Sequence, residues 1–158
     1  MSPLFILPGW GLGRGPLQAT AEALGGTLLD LPGYGETPAE SDFDTAVTQI
    51  AERLPPGATL AGWSLGALLA LAVAARNPDK VGKLLLIAGT ASFTQRNGWP
   101  DAMPPAVLDD FTAAVAADAA PTLRQFVAGF NRGDARARPV SAELLRLASP
   151  PSAAVLGT

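Results

Sequence analysis

The chain has 158 residues, 48% of them hydrophobic and 16% charged, with a formal net charge of −3. That length and balance point to one packed domain and exclude a disordered chain or a general nucleic-acid-binding surface. With no cysteine there is no disulfide framework and no thiolate metal site, which fits a reducing compartment, and no metal or other cofactor is expected.

The N-terminus, Met1-Ser2-Pro3-Leu4-Phe5-Ile6-Leu7, lacks the basic region and long apolar core of a signal peptide. No stretch reaches the roughly 20 apolar residues that span a bilayer. A soluble, cytoplasmic protein without a membrane partner is therefore expected. Charge is uneven along the chain. Residues 1–60 carry seven acids and two bases, whereas 119–158 carry Arg124, Arg132, Arg136, Arg138 and Arg146 against Asp134 and Glu143.

Leu4–Leu7 is a short continuous apolar run, as in a strand buried on both faces. It enters the glycine-dense loop Pro8-Gly9-Trp10-Gly11-Leu12-Gly13-Arg14-Gly15. Residues 16–24 read as a helix stopped by Gly25-Gly26. Thr27-Leu28-Leu29-Asp30 is a second strand, followed by turn chemistry throughout Leu31-Pro32-Gly33-Tyr34-Gly35-Glu36-Thr37-Pro38. Ser41 or Asp42 caps a helix whose Phe43, Val47, Ile50 and Leu54 share one face, and Pro55-Pro56-Gly57 ends it.

A strand at 58–63 then climbs into Gly62-Trp63-Ser64-Leu65-Gly66, and an Ala- and Leu-rich helix leaves it for Arg76. This is G-x-S-x-G between strand and helix, the setting of a nucleophile elbow. Small residues two before and two after the serine let the flanking segments close up. The turn would expose the Ser64 hydroxyl at a helix N-terminus, where free N–H groups favour developing negative charge. The plainer reading of the same stretch is a tight turn whose serine only caps the helix. Asn77-Pro78-Asp79 breaks the helix, and Lys83–Ala88 is a fourth strand.

Strands alternating with helices predict an α/β fold with a doubly wound, mostly parallel sheet of about four strands. Ligands then bind beyond the carboxyl ends of the strands. The Trp10 loop, the Tyr34 loop, Ser64 and Gly89-Thr90 all follow strands and share that edge. Beyond residue 90 the pattern changes: Gln95–Pro100 is irregular, and three helical stretches follow with no strand between them. Their stripes are Leu108, Phe111 and Val115; Leu123, Phe126, Val127 and Phe130; Leu144, Leu145 and Ala148. This divides the chain into a core at 1–90 and a helical lid at 91–158; the alternative is ordinary covering helices. Residues 150–158 form a weak ending.

Gly9-Trp10-Gly11 after a strand, with Asp30 at the next strand end, hints at a dinucleotide fingerprint, but Arg14 stands where the third glycine of that motif belongs. The loop serves better as half of an oxyanion hole. Acyl transfer places charge on a carbonyl oxygen, and backbone N–H groups at Trp10 and Leu65 would receive it.

Leu7-Pro8-Gly9-Trp10-Gly11, Asp30-Leu31-Pro32-Gly33-Tyr34-Gly35 and Gly62-Trp63-Ser64-Leu65-Gly66 resemble the α/β-hydrolases. More closely they resemble the pimeloyl-acyl-carrier-protein methyl ester carboxylesterases of biotin synthesis. The likeness runs on through Ala91-Ser92-Phe93, Trp99-Pro100, Val107-Leu108 with Phe111, and Thr122-Leu123-Arg124-Gln125-Phe126. The resemblance implies an incomplete hydrolase sheet under a truncated lid, its two outer strands left as unpaired edges. Ser64 would be the nucleophile, with Trp10 and Leu65 N–H as oxyanion donors. Phe126, Val127, Ala128, Gly129 and Phe130 would join Trp10 and Leu65 in binding the acyl ester. Arg124, Arg132, Arg136 and Arg138 would meet an acidic acyl-carrier protein, or else form a solvated helix face.

The chain departs from that family in two places. Pro8 stands where the family usually has histidine, a change that spares the backbone donor. The triad acid and histidine of the family follow the lid, and the chain has no histidine at all. Three readings result. The first is the N-terminal portion of a biotin-pathway esterase, weak by itself, with the rest lost to truncation or a frameshift or carried by another chain. The second is a general small-ester carboxylesterase. The third is a non-catalytic remnant that binds an acyl chain or carrier protein.

Overall fold

The computed structural model describes residues 2–39 and 42–149. Four parallel strands form one sheet: β1 (Leu4–Leu7), β2 (Thr27–Leu28), β3 (Ala58–Trp63) and β4 (Val81–Ile87), in the order β2-β1-β3-β4. Phe5 lies beside Leu60 and Ile6 beside Ala61, and Trp63 lies beside Ile87. β2 and β4 are thus the outer strands. β2 is two residues shorter than its apolar run predicts: Leu29 is buried in the core, and Asp30 has turned out to face Arg14.

Helices pack on both faces of the sheet, as a parallel sheet requires, but leave Leu85, Leu86 and Ile87 of β4 half exposed. α2 (Phe43–Glu52) and α3 (Leu65–Arg76) lie on one face, where Leu7, Leu31, Val47, Ile50, Leu54, Leu60, Leu69 and Val73 make the principal core. α1 (Gln18–Leu24), entered through a 3-10 turn at Gly15–Leu17, lies on the other, closing Ile6, Ala21 and Ala61 under Leu4, Leu17 and Leu28. The sheet is therefore doubly wound, as the alternation of strands and helices predicts.

Asp42 caps α2: its carboxylate accepts from Thr45 N–H at 2.9 Å, Asp44 N–H at 3.3 Å and the Thr45 hydroxyl at 2.6 Å. The Thr45 hydroxyl bond first, and the two amide bonds with it, hold this carboxyl below the usual range. The other candidate cap, Ser41, lies outside the described residues, as does the ending at 150–158.

After β4 come α4 (Pro105–Ala117), α5 (Ala119–Phe130) and α6 (Ala137–Leu147). The irregular stretch between β4 and α4 makes a small turn, with Arg96 bridged to Trp99 and Thr94 to Met103. Val115 of α4 and Leu123 and Val127 of α5 are buried, whereas Leu144, Leu145 and Ala148 of the third stripe are only partly buried and Leu108 remains 38% exposed. No helix among the described residues is long and apolar enough to cross a membrane.

Candidate active site

The end of β3 and the start of α3 meet at Ser64, whose backbone adopts φ 56°, ψ −116°. An L-residue pays for that conformation in strain, and such strain collects at functional positions. Although Ser64 occupies the N-cap position, its side chain makes no capping hydrogen bond. The plainer capping role is absent, and among the described residues the hydroxyl of this half-buried serine has no hydrogen-bond partner. The main chain is fixed on both sides: Ser64 N–H donates to Ile87 O at 2.9 Å, and Ser64 O accepts from Ala67 and Leu68 N–H.

Both glycines of the motif are sterically required. A Cβ on Gly66 would stand 2.5 Å from the carbonyl oxygens of Leu7 and Pro8, and one on Gly62 would overlap the Gly66 backbone. Leu65 is the first residue of α3, so its N–H has no intrahelical acceptor. The first turn of α3 holds no acidic side chain to compete for the positive helix end.

The glycine loop comes directly alongside. Gly9 is buried, and a Cβ there would meet Trp63 Cε3 at 3.3 Å and Ser64 Cβ at 3.4 Å. Trp10 follows at once, so its main chain borders the elbow. Each later glycine has its own neighbour: Gly11 faces the Leu123 side chain, Gly13 the Ser149 backbone and Gly15 the Leu147 backbone. Leu12 O accepts from Ser149 N–H at 2.8 Å. The loop is thus roofed by α5 and by the end of α6.

Aromatic rings fill the space over it. The Trp10 ring stands edge-on to Phe111 at 5.0 Å and to Phe126 at 5.3 Å, while Trp63 meets Phe130 at 6.4 Å. Phe126 and Phe130, one helical turn apart, touch at 5.5 Å. The five consecutive residues expected to bind an acyl chain therefore have different surroundings. Phe126 and Phe130 face the two tryptophans, Val127 is fully buried against Leu12 and Leu123, and Ala128 and Gly129 are exposed. Five successive positions of a helix cannot share one face. Arg124, Arg132, Arg136 and Arg138 are all exposed, and among the described residues none has an ion-pair partner.

Two contacts escape a reading by sequence pattern. Phe111 against Trp10 joins α4 to the loop after β1. The Tyr34 hydroxyl accepts from Gly11 N–H at 2.6 Å in a buried contact. The signal for the second was present: Tyr34 is the single tyrosine of the chain, and a buried phenol needs a polar partner.

A family model described as the alpha/beta hydrolase family matches residues 4–157. The chain belongs to the α/β-hydrolase family. Among curated relatives, it is 39% identical over 148 residues to the pimeloyl-acyl-carrier protein methyl ester esterase of Aromatoleum aromaticum, spanning 87% of this chain and 59% of that one. It is 34% identical over 169 residues to the biotin biosynthesis bifunctional protein BioHC of Teredinibacter turnerae, spanning 94% of this chain and 29% of that one. The chain thus spans at most about three-fifths of these relatives' length. Among solved structures, an esterase from Exiguobacterium antarcticum superposes with a TM-score of 0.83 at 24% identity, over 99% of this chain and 63% of that one. An enol-lactonase from Burkholderia xenovorans gives 0.74 at 18% identity, over 99% of this chain and 63% of the other. These two likenesses concern the fold.

Proposed function

We propose that this chain is the nucleophile-bearing portion of a cytoplasmic serine carboxylesterase of biotin biosynthesis, hydrolysing the methyl ester of a pimeloyl chain carried on acyl-carrier protein. The observation that carries the reading is Ser64, strained at φ 56° with no capping bond and set against the Gly9-Trp10 loop. The 39% identity to a pimeloyl-acyl-carrier protein methyl ester esterase supports the substrate class.

In this reading Ser64 Oγ attacks the ester carbonyl carbon, and the carbonyl oxygen takes the negative charge between Trp10 and Leu65 N–H. Methanol leaves, and water then releases the acid from the acyl-enzyme. Residues 91–158 act as a lid, in which Phe126 to Phe130 border the acyl chain, with Phe126 and Phe130 bringing rings to Trp10 and Trp63. The exposed Arg124, Arg132, Arg136 and Arg138 meet the acidic carrier protein.

The chain holds no histidine to take the Ser64 proton. The relatives are longer, and a further segment, on this polypeptide or a complementing one, supplies acid and base in this reading. The same absence favours a second reading, a non-catalytic acyl- or carrier-protein-binding form of the fold. The deciding experiment is methanol release from pimeloyl-acyl-carrier protein methyl ester by the product of the native gene, beside its Ser64→Ala variant. Release that disappears in the variant supports the esterase. Carrier-protein binding with no Ser64-dependent release supports the second reading, and equal turnover of short free esters marks a general carboxylesterase.

A further inference from the structure

The glycine loop is held from two sides. On one side α5 sets Leu123 against Gly11, whose φ of +78° already suits only glycine comfortably. On the other side lies the loop after β2. Tyr34 there is 4% exposed and seated in the principal core with Leu31, Val47 and Ile50. Its turn is closed by its own backbone: Tyr34 N–H donates to Leu31 O, and Thr37 N–H to Tyr34 O, each at 3.0 Å. The same two loops are tied a second time by the Arg14–Asp30 ion pair at 2.9 Å.

From this rigid seat the Tyr34 oxygen accepts the Gly11 N–H at 2.6 Å. The bond fixes the peptide plane between Trp10 and Gly11. Gly9, packed on Ser64 and Trp63, fixes the chain on the other side of Trp10. The direction of the Trp10 N–H is set between these two anchors. The bond also occupies the neighbouring Gly11 donor, which would otherwise be free to swing toward the same charge.

We propose that Tyr34 is a positioning residue for oxyanion stabilisation: by accepting from Gly11 N–H it aims the Trp10 N–H over Ser64. The inference rests on the reading of Trp10 and Leu65 as the oxyanion donors. Only the phenolic oxygen of Tyr34 does this; its ring belongs to the core. Burial pushes the phenol up to about 12, so it stays a neutral acceptor across the working pH range. A donor preorganised toward developing charge is worth roughly 100-fold or more in rate. A donor that is kept but loosened loses a part of that, about 10-fold.

The test uses the 158-residue chain, its Tyr34→Phe and Ser64→Ala variants, and two probes that need no turnover. An alkylboronic acid forms a tetrahedral anion on a serine hydroxyl, whereas the matching primary alkylamide stays neutral and planar. The wild-type chain binds the boronate in a Ser64-dependent way. Tyr34→Phe weakens that binding about 10-fold, leaves amide binding within about twofold, and speeds amide exchange at Gly11. Equal boronate affinity in wild type and Tyr34→Phe overturns the positioning role. Failure of the wild-type chain to form any Ser64-dependent boronate complex overturns the oxyanion reading itself, and this inference with it. Should Tyr34→Phe fail to fold, biosynthetic 3-fluorotyrosine replaces this single tyrosine and keeps its shape while weakening the oxygen as an acceptor. It then gives a smaller loss in the same direction, and unchanged boronate affinity again overturns the role.

Discussion

Gly9 abuts Ser64, with room for no more than van der Waals contact between a Cβ on the one and the Cβ of the other, 3.4 Å apart. Two turns from separate strands are thereby pressed together, and this closeness decides what the glycines of the site tolerate.

Gly66→Ala would drive a methyl group to 2.5 Å from two backbone carbonyl oxygens, with no flexible side chain to yield. We expect a loss of ~3 kcal/mol or more in urea unfolding. Gly57→Ala meets no atom within 4 Å but keeps φ +69°, so it should cost only about 1–2 kcal/mol from the backbone. Gly129→Ala, in α5 with open space and ordinary φ, should be neutral or gain about 0.5 kcal/mol. A tolerated Gly66→Ala would disprove the close approach.

Ser64→Gly and Ser64→Ala both remove the hydroxyl and, on the esterase reading proposed above, should both abolish the hydrolysis of the native gene product. They differ in strain, because alanine keeps the Cβ that φ 56°, ψ −116° disfavours and glycine does not. Ser64→Gly should therefore be the more stable of the two by ~1–2 kcal/mol, read from paired thermal melts. Equal stability would mean that the elbow stores no strain.

Tyr34 ties stability to alkaline pH. Its folded-state pKa, pushed up by burial to about 12, lies above the unfolded value of 10. The folded chain therefore holds the proton where the unfolded chain has lost it. The stabilisation is complete below pH 10 and drains away as pH rises toward 12, by ~3 kcal/mol in all. Urea titrations at stepped pH should show this decline in the wild type and a shallower one in Tyr34→Phe. Parallel curves would show that the phenol titrates normally.

β4 leaves Leu85 47%, Leu86 46% and Ile87 52% exposed, so both faces of this outer strand present apolar side chains. An apolar outer strand invites pairing with another chain. The 158-residue chain should self-associate in sedimentation velocity, and Leu85→Lys should reduce this while changing stability by less than about 0.5 kcal/mol. A monodisperse monomer in both would show that this edge is not sticky.

Much of the framework was legible in local pattern. Short apolar runs separated by glycine and proline mark the strands, helical stripes mark α2 and α5, and G-x-S-x-G between strand and helix marks the elbow. These features depend on short apolar runs, a period of about 3.6 residues and single-residue backbone preferences, which neighbouring residues settle among themselves. Even so, boundaries differ from the local pattern: β2 ends at Leu28, and Asp30, read as its last residue, pairs with Arg14.

The chemistry of each glycine was not legible. The sequence by itself determined that the loop after β1 is rich in glycine; the tertiary structure decided that Gly9 yields to Ser64, Gly11 to Leu123 and Gly15 to the backbone of Leu147. It likewise divided Phe126 and Phe130, turned toward the tryptophans, from Ala128 and Gly129, turned to solvent. The bond from Gly11 to Tyr34 belongs to the same class. Contacts between residues far apart in the chain follow from how the layers close on one another, and no local period encodes which two loops will meet.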